Sequence, residues 1–425
     1  MSANGPMRAR IDLFSRAADR ATGAKGGDRV DLAAFRALRT PAGAAALRAV
    51  TGRDVGAAGL LATLGAMRAD HPEPLVSAAV TQVRLRERAR PKFGPDAGVM
   101  FFTPDGVEQA TRGSVGRHRA ARLAAAGPDR VLDLCCGIGG DLIAFARAGF
   151  QVLGVDADPL TAAVAQANVD VLGLAATVEC ARAADVPLPG WPAVFCDPAR
   201  RHGGRRVFDP RGYSPPVDAV LSICAAVPLA VAKLGPGIPH HLVPAGVEAE
   251  WVSEGGTVLE AALWFGPLAT TTRRATLLPA GHTLTDEALD AAPVGAPGRW
   301  LYEPDGAVIR AHLVAEVAAR IHGRLLDPTI AYITADSLID TPFARAYEVT
   351  DVMPFSLKRL RALLRDREVG RVTIKKRGSA IDPAQLRQAL RPAGPAEATV
   401  VLTRVAGAPT TLICRPAPAP AGGLK

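Results

Sequence analysis

The sequence predicts an α/β fold built on a parallel sheet, and three features of one stretch indicate it. Val131, Leu132 and Leu134 are apolar, as expected for a parallel strand that is buried on both faces. A glycine-rich turn follows it directly. A helical apolar pattern then leads into a second strand, QVLGVDAD. The stretch is therefore a strand–turn–helix–strand unit with its turn at the edge where open α/β sheets bind ligands.

The turn does not fit the phosphate-binding patterns of nucleotide folds. It reads Asp-x-x-x-Gly-x-Gly-Gly, which is neither GxGxxG nor GxxxxGK. Asp133 precedes the turn, and Asp156 ends the second strand, where an acid can accept hydrogen bonds from two ribose hydroxyls. These acids favour a cationic ligand that carries a sugar. The alternative is a helix-packing turn without a ligand.

The turn and its two acids resemble motifs I and II of the class I S-adenosylmethionine-dependent methyltransferases. The resemblance implies a Rossmann-like sheet and S-adenosyl-L-methionine as cofactor. It implies that Asp133 lies near the methionine amino end, that Asp156 holds the ribose, and that Asp185 accepts a hydrogen bond from the adenine amino group. It also implies that the cofactor is bound over three glycines: Gly137, Gly139 and Gly140.

A second informative stretch is the predicted strand Ala193–Cys196, which runs into Asp197 and Pro198. It resembles motif IV of these enzymes, in which the acid and a proline-flanked carbonyl hold an exocyclic amine while an aromatic ring stacks on the base. Arg200 and its neighbour Ala199 depart from that pattern because no aromatic residue follows the proline. The resemblance implies a catalytic set, with stacking supplied from elsewhere: the set is Asp197, Pro198 and Arg200, and the stacking candidates are Trp191, Phe208 and Tyr213.

Asp-Pro-x-Arg also resembles the fourth motif of the RNA uridine C5 methyltransferases, which need a nucleophilic cysteine. Cys224 is the only cysteine shortly downstream, and it lies in a predicted helix without a Ser-Cys-Asn-Pro signature. We therefore expect transfer to a base nitrogen instead. The six cysteines show no metal-binding spacing, so we expect reduced thiols, no bound metal and a cytoplasmic protein.

The length of 425 residues predicts more than one domain. We expect an N-terminal helical domain over 1–95 and the methyltransferase domain over 96–298. A connecting segment and a C-terminal α+β domain would occupy 299–418. Within the second domain, one helix is expected from about Val107 to the Gly127-Pro128 pair.

The last part of the chain, about 330–415, resembles the THUMP-like domain found C-terminal to a family of bacterial class I methyltransferases. RAYEVTDVMPFS and VGRVTIKKRG carry this resemblance. It implies RNA binding, because true THUMP domains bind RNA. A solvated appendage that only supports the catalytic domain is the alternative.

Charge points to the same kind of partner. The net charge of +9 makes a polyanion plausible, although heavy arginine usage weakens that argument. Two basic groups are candidate RNA contacts: Arg201, Arg205 and Arg206 in the loop after Asp197, and Lys375, Lys376 and Arg377 at a strand end. Arginines that pair with acids elsewhere in the protein are the alternative. No apolar run is long enough for a membrane span, and we expect no secretory signal.

The sequence thus predicts an S-adenosylmethionine-dependent methyltransferase that acts on RNA, at a base nitrogen. Two alternatives remain open at this point: a methyltransferase that acts on a protein or a small molecule, and a non-catalytic RNA-binding protein that retains the cofactor. The oligomeric state does not follow from the sequence.

Overall fold

The computed structural model describes residues 30–418, except 57, 203–204 and 207–208. The chain divides into two units: residues up to Ile238 together with Trp264–Leu268, and Pro239–Leu263 together with Ala269 onward. The predicted three-domain boundaries stay a prediction. None of the helices that the structure describes combines the length and apolar character that a membrane crossing needs.

Four helices open the first unit, as the apolar spacing predicts. They are α1 (Leu32–Leu38), α2 (Pro41–Val50), α3 (Leu60–Met67) and α4 (Glu73–Phe93). Side chains cap the N-termini of the first two helices. Asp31 accepts a hydrogen bond from Ala34 N, and Thr40 accepts one from Gly43 N. Their apolar faces are buried, with Phe35 and Val50 in the core. The basic end of α4 is held to the following chain, because Lys92 Nζ donates to the carbonyl of Ala110 at 2.9 Å.

The long helix expected from about Val107 is wrong, because two helices occupy this stretch. They are α5 (Pro104–Gln109) and α6 (Gly113–Ala124). Thr103 caps α5 by accepting from Gly106 N, and the chain leaves helical geometry at Ala110. The backbone of Thr111 then approaches Gly140, where an added Cβ would lie 3.2 Å from Thr111 N. The interruption therefore places Thr111 against Gly140, where the helix Gly140–Arg147 begins.

A parallel sheet forms the centre of the first unit and confirms the predicted fold class. Its elements are β1 (Arg130–Leu134), α7 (Gly140–Arg147), β2 (Gln151–Asp156), α8 (Pro159–Val171), β3 (Ala176–Cys180), β4 (Ala193–Cys196), the short β5 (Arg201–His202) and β6 (Arg205–Arg206), α9 (Val217–Ala225) and β7 (Leu229–Leu234). The order β7-β4-β1-β2-β3 reverses direction between β1 and β4. Open α/β sheets bind ligands at such a switch point, outside the carboxyl ends of the strands.

Two buried amide side chains clamp the segment that leads into α5. Gln82 donates to Phe102 O at 2.7 Å and accepts from Phe102 N at 3.0 Å. Asn168 accepts from Phe101 N at 2.7 Å and donates to Phe101 O at 3.0 Å and to Ile138 O at 2.9 Å. These bonds satisfy backbone groups that α4 and α8 would otherwise bury unpaired. The clamp fixes the path of the chain toward Thr111.

The second unit begins with four strands. They are β8 (Glu248–Glu254), β9 (Thr257–Phe265), β10 (Arg273–Leu278) and β11 (His282–Thr285), where the last residues of β9 belong to the first unit. β8 and β9 are neighbours in the sheet and are joined at Gly255 and Gly256, both of which have positive φ angles, as in a hairpin turn. β10 pairs with β8 in parallel and with β11 antiparallel.

The remainder of the second unit is a seven-stranded sheet with the order β13-β14-β12-β15-β18-β17-β16. Its elements are β12 (Trp300–Pro304), α10 (Gly306–Arg310), α11 (Val314–Arg320), β13 (Arg324–Asp327), β14 (Ile330–Ala335), β15 (Ala344–Pro354), α12 (Leu357–Asp366), β16 (Val369–Lys376), α13 (Pro383–Leu390), β17 (Ala396–Val405) and β18 (Ala408–Pro416). Only the pair β16–β17 is parallel among the pairings of these strands that the structure describes. Leu360 and Leu386 of α12 and α13 pack with Val400 in one buried cluster.

Replacing Asn168 by alanine should destabilise the first unit. The fully buried side chain satisfies the amide and carbonyl of Phe101, and leaving such groups unpaired costs about 1–3 kcal/mol. Val171→Ala is the matched control, because this exposed residue ends the same helix and should change stability by less than about 0.5 kcal/mol. Urea unfolding midpoints compare the two variants. Equal midpoints would show that the clamp contributes nothing.

Candidate active site

The glycine turn between β1 and α7 is open on the side away from the protein. Gly137 and Gly139 have φ angles of 58° and 92°, in the left-handed region that favours glycine. A Cβ on Gly137 would meet no described atom within 4 Å. Asp156 accepts from Gly137 N and Asp158 N, both at 3.0 Å, and so shapes the turn. Burial raises the pKa of Asp156, although those two N–H donors lower it in part.

Asp133 is fully buried at the end of β1. Neither of its carboxyl oxygens has a hydrogen-bond partner among the residues that the structure describes. Burial, together with the nearby Asp141 and Asp197 carboxylates, raises the pKa of Asp133 well above its usual value, while Arg119 and Lys233 lower it in part. A buried carboxyl group without a partner is costly, so this position suits a ligand that supplies a donor or a positive charge.

Asp197 lies just beyond the carboxyl end of β4, on the other side of the switch point. Its backbone N–H donates to Leu134 O at 3.1 Å, which ties it to β1. Its side chain is 24% exposed, and its Oδ2 accepts a hydrogen bond from Lys233 Nζ at 2.5 Å. Lys233 is 5% exposed and lies on β7 at the same level, because Cys196 and Ala232 are paired in the sheet. The partly exposed carboxyl group of Asp197 is therefore held from behind by a buried lysine.

Lys233 also connects this acid to the start of α7. Its Nζ donates to Thr111 Oγ1 at 2.8 Å, and Thr111 donates to Asp141 Oδ2 at 2.5 Å. Arg119 pairs with the other oxygen of Asp141. All four side chains are buried: Thr111, Arg119, Asp141 and Lys233. A continuous polar chain thus runs from α6 to Asp197 beneath the open turn.

Sequence reasoning did not assign these buried residues to the site. A detectable signal existed for Lys233, since it is the single charge in the otherwise apolar strand LAVAKL. Thr111 lies in a stretch that reads as helix, and its local pattern fits a residue that reaches the cofactor and a surface residue equally well. Nothing in the sequence around Arg119 indicates that this arginine is buried against Asp141.

The candidates for base stacking do not all lie at the edge of the sheet that carries Asp197. Trp191 precedes β4 and contacts Arg130 at the start of β1, with a guanidinium-to-ring distance of 5.3 Å. It therefore lies at the opposite edge of the sheet and cannot stack on a base held by Asp197. Tyr213 lies on the correct edge, because a Cβ on Gly235 would be 2.9 Å from its hydroxyl. Phe208 lies outside the described residues.

Arg200 lies beside Tyr213 on the same edge. A Cβ on Gly235 would be 3.3 Å from Arg200 Nη1, and this nitrogen is buried without a hydrogen-bond partner among the described residues. Its neighbour Ala199 forms a backbone bridge with Ser214, which fixes the chain just after Pro198. The side chains of Arg201, Arg205 and Arg206 lie outside the described residues, so their RNA contacts stay a prediction.

Two further site candidates are clearly placed. Asp185 is exposed in a single helical turn after β3, whose last residue Cys180 pairs with Asp156. It therefore lies toward the edge that carries Asp156. Cys224 is fully buried in α9, and burial raises the pKa of its thiol to about 12. A thiol in this setting does not form the thiolate that C5 chemistry requires.

The basic triplet of the second unit is divided between the two faces of β16. Lys375 donates to Glu303 Oε2 at 2.6 Å, and Arg377 lies 3.7 Å from Glu303 Oε1. Lys375 and Arg377 are half-buried, whereas Lys376 is exposed. Two of the three candidate RNA contacts at this strand end therefore pair with an acid of the protein itself. Alternation along a strand is the physical reason, since neighbouring side chains point to opposite faces.

The geometry defines a class of protein before any comparison is made. The sheet order, the open glycine turn, the unpartnered Asp133 and the acid after β4 are together those of a Rossmann-like methyltransferase. No group of three or more histidine, cysteine, aspartate or glutamate side chains could hold a metal within the described part of the chain.

Three family comparisons match parts of the chain. Residues 131–201 match a methyltransferase domain, and residues 344–416 match a THUMP domain-like family. Residues 31–89, within the N-terminal helices, match a domain of unknown function.

Comparison with whole proteins establishes the family. The chain is 38% identical over 348 residues to an uncharacterized S-adenosylmethionine-dependent methyltransferase of Mycobacterium tuberculosis, covering 78% of this chain and 95% of that protein. A crystal structure from Porphyromonas gingivalis W83, assigned to the methyltransferases, shares the fold with a TM-score of 0.69 and 22% identity, covering 91% of this chain and 98% of that one. The chain belongs to the S-adenosylmethionine-dependent methyltransferases and carries a C-terminal THUMP-like domain. The predicted family, enzyme class and cofactor are confirmed.

Proposed function

We propose that this methyltransferase acts on RNA and transfers the methyl group to a base nitrogen. The observation that carries the proposal is the partly exposed carboxyl group of Asp197 at the switch point, with one oxygen held by buried Lys233. An acid at this edge can accept a hydrogen bond from an exocyclic amine. The THUMP-like match over 344–416 supports RNA as the class of substrate.

The residues around the turn fit S-adenosyl-L-methionine. Asp133 would accept a hydrogen bond from the methionine ammonium group, which supplies the positive charge that its unpartnered carboxyl oxygens lack. Asp156 keeps lone pairs for the ribose hydroxyls beyond the two N–H groups that it already accepts. The cofactor would lie over the open face of Gly137 and Gly139. The exposed Asp185 remains the candidate for the adenine amino group.

The bound cofactor supplies an electrophilic methyl group on a sulfonium. The protein has to orient the acceptor nitrogen, and this reaction does not need a strong base. Asp197 would hold one amine hydrogen and so aim the nitrogen lone pair. The carbonyl beside Pro198 is available for the other hydrogen. Once the nitrogen has acquired the methyl group, its extra proton leaves to water past the carboxylate.

Arg200 is the remaining member of the proposed catalytic set. Its buried, unpartnered Nη1 lies at the same edge as Asp197. An arginine can stack its planar guanidinium on a base or contact a phosphate with its fork of donors. Arg200 thus replaces the aromatic residue that the motif usually has. Arg201, Arg205 and Arg206, a few residues farther along, are candidates for backbone phosphate contacts.

Cofactor affinity should depend on pH through Asp133. In the cofactor-free protein its pKa is raised, and the ammonium group would favour the ionised form and lower that pKa. Below the raised pKa, binding must therefore release a proton, so affinity should fall by up to about tenfold per pH unit as the pH drops. Calorimetry between about pH 5 and about pH 7.5 keeps the ammonium group charged. Asp133→Asn should bind more weakly and lose this slope, and any remaining slope belongs to Asp156.

Transfer to RNA is tested with radiolabelled cofactor, total bacterial RNA and the full-length protein. Label should appear in N-methylated nucleosides after digestion. Asp197→Ala should lower transfer at least about 100-fold through loss of orientation, with cofactor affinity within a few fold. Cys224→Ala, a buried position away from the proposed contacts, should keep full turnover. Label in 5-methyluridine with an inactive, folded Cys224→Ala would support C5 transfer instead. Label only in protein or small molecules would contradict RNA.

Lys376 should contribute to RNA binding without reading sequence. Its exposed ammonium suits a phosphate, so Lys376→Ala should weaken binding to unrelated RNAs alike. The log–log salt slope should drop by up to about 0.7 on single strands. Lys375→Met is the matched control, because it removes the same charge from a side chain already paired with Glu303. Filter retention at several salt concentrations measures both variants. If the two variants behave identically, only net charge matters and the contact is refuted.

A further inference from the structure

Lys233 holds a place in the site that neither of the two resemblance motifs accounts for. It is 5% exposed on a central parallel strand, and a buried cation is costly unless it is paired and hydrogen-bonded. It donates hydrogen bonds to Asp197 Oδ2 at 2.5 Å and to Thr111 Oγ1 at 2.8 Å. Thr111 is itself held by Asp141.

The donors and acceptors of this chain have a fixed direction. Asp141 accepts from both Arg119 and Thr111, which uses the only hydroxyl proton that Thr111 has. Thr111 must therefore accept from Lys233, and Lys233 donates onward to Asp197. The Lys233 ammonium group is thus oriented by Thr111, whose own hydroxyl is held by Asp141. It engages Oδ2 of Asp197 and leaves Oδ1 for a ligand.

Lys233 also balances the charges of the site. Asp133 and Asp156 both lie close enough to Asp197 for its carboxyl group to raise their pKa. Without a cation, a partly buried acid beside two others would favour its protonated form. A protonated Asp197 would donate a hydrogen bond to the acceptor amine, and that bond would occupy the lone pair that must attack the methyl group.

We propose that Lys233 is a positioning residue for methyl transfer: it keeps Asp197 ionised and fixes its carboxylate so that Oδ1 accepts a hydrogen bond from the acceptor amine. The inference rests on the proposed role of Asp197. It identifies Lys233 as the residue that makes Asp197 the acceptor, and the amine the donor, in that hydrogen bond. Lys233 itself touches neither the acceptor nor the methyl group in this scheme.

The first test needs no substrate. Protein carrying ¹³C-labelled aspartate is followed by NMR from about pH 8 to about pH 5, and Asp197→Asn identifies the Asp197 carboxyl signal. In Lys233→Met the titration of this signal should move to higher pH than in the wild-type protein, since losing a neighbouring cation favours the protonated carboxyl group. An unchanged signal in Lys233→Met would overturn the proposal.

Two control variants separate charge from packing. Thr111→Val removes one hydrogen bond of Lys233 but keeps its charge, so the Asp197 signal should titrate as in the wild-type protein, even where thermal stability falls as in Lys233→Met. Lys233→Arg keeps the cation and should restore the wild-type Asp197 signal. Lys233→Arg also serves if Lys233→Met does not fold. An Asp197 titration that moves away from the wild-type one in both folded Thr111→Val and folded Lys233→Arg would contradict a role for the charge.

The second test uses the transfer assay with total RNA. Lys233→Met should lose at least about tenfold in kcat near pH 6 and regain part of it toward pH 8, with Lys233→Arg closer to wild type. A loss that is equal at all pH values and not rescued by arginine would indicate a purely structural lysine. If wild-type protein transfers nothing to RNA, the proposed substrate fails, while the Asp197 titration still decides the role of Lys233.

Discussion

The cleft depends on one electrostatic constraint, which is the convergence of carboxyl groups at the switch point of the parallel sheet. Asp133 lies next to the last residue of β1, Asp141 lies in the first turn of α7 and Asp197 follows β4, so the topology brings three acids to one partly dry edge. Burial and the two other carboxyl groups raise the pKa of Asp133 there. Arg119 and Lys233 offset part of that repulsion, each from an element distant in sequence.

The constraint explains the unusual path of the chain before the sheet. Thr111 can accept from Lys233 and donate to Asp141 only because the helix is interrupted after Gln109. The amide clamps of Gln82 and Asn168 hold the preceding segment in place. The N-terminal helices thus help to position the buried Thr111 hydroxyl near the switch point of the sheet.

The three acids differ in how many hydrogen bonds their carboxyl oxygens already accept within the protein. Asp141 is satisfied within the protein by Arg119 and Thr111. Asp133 has no described partner, and Asp197 has one oxygen engaged and a partly exposed side chain. Three residues of similar chemistry are thereby suited to a structural role, a cofactor contact and an acceptor contact.

The second unit shows the same dependence of charge on surroundings. Glu303 takes up the charges of Lys375 and Arg377, so a run of three basic residues leaves one exposed cation. The density of basic residues in the sequence therefore overstates the charge that is available to RNA. The exposed face has to be identified from the structure.

The sequence by itself determined the elements whose chemistry is local. An apolar strand, a glycine turn and a terminal acid lie within a few residues of one another, so Asp133, Gly137 and Asp156 could be assigned from their pattern. Asp197 at the end of β4 follows from the same logic. Only the tertiary structure decided what surrounds them. Lys233 reaches Asp197 across 36 residues and Thr111 across 122, and no periodicity or spacing encodes contacts that form only when strands pair and helices pack.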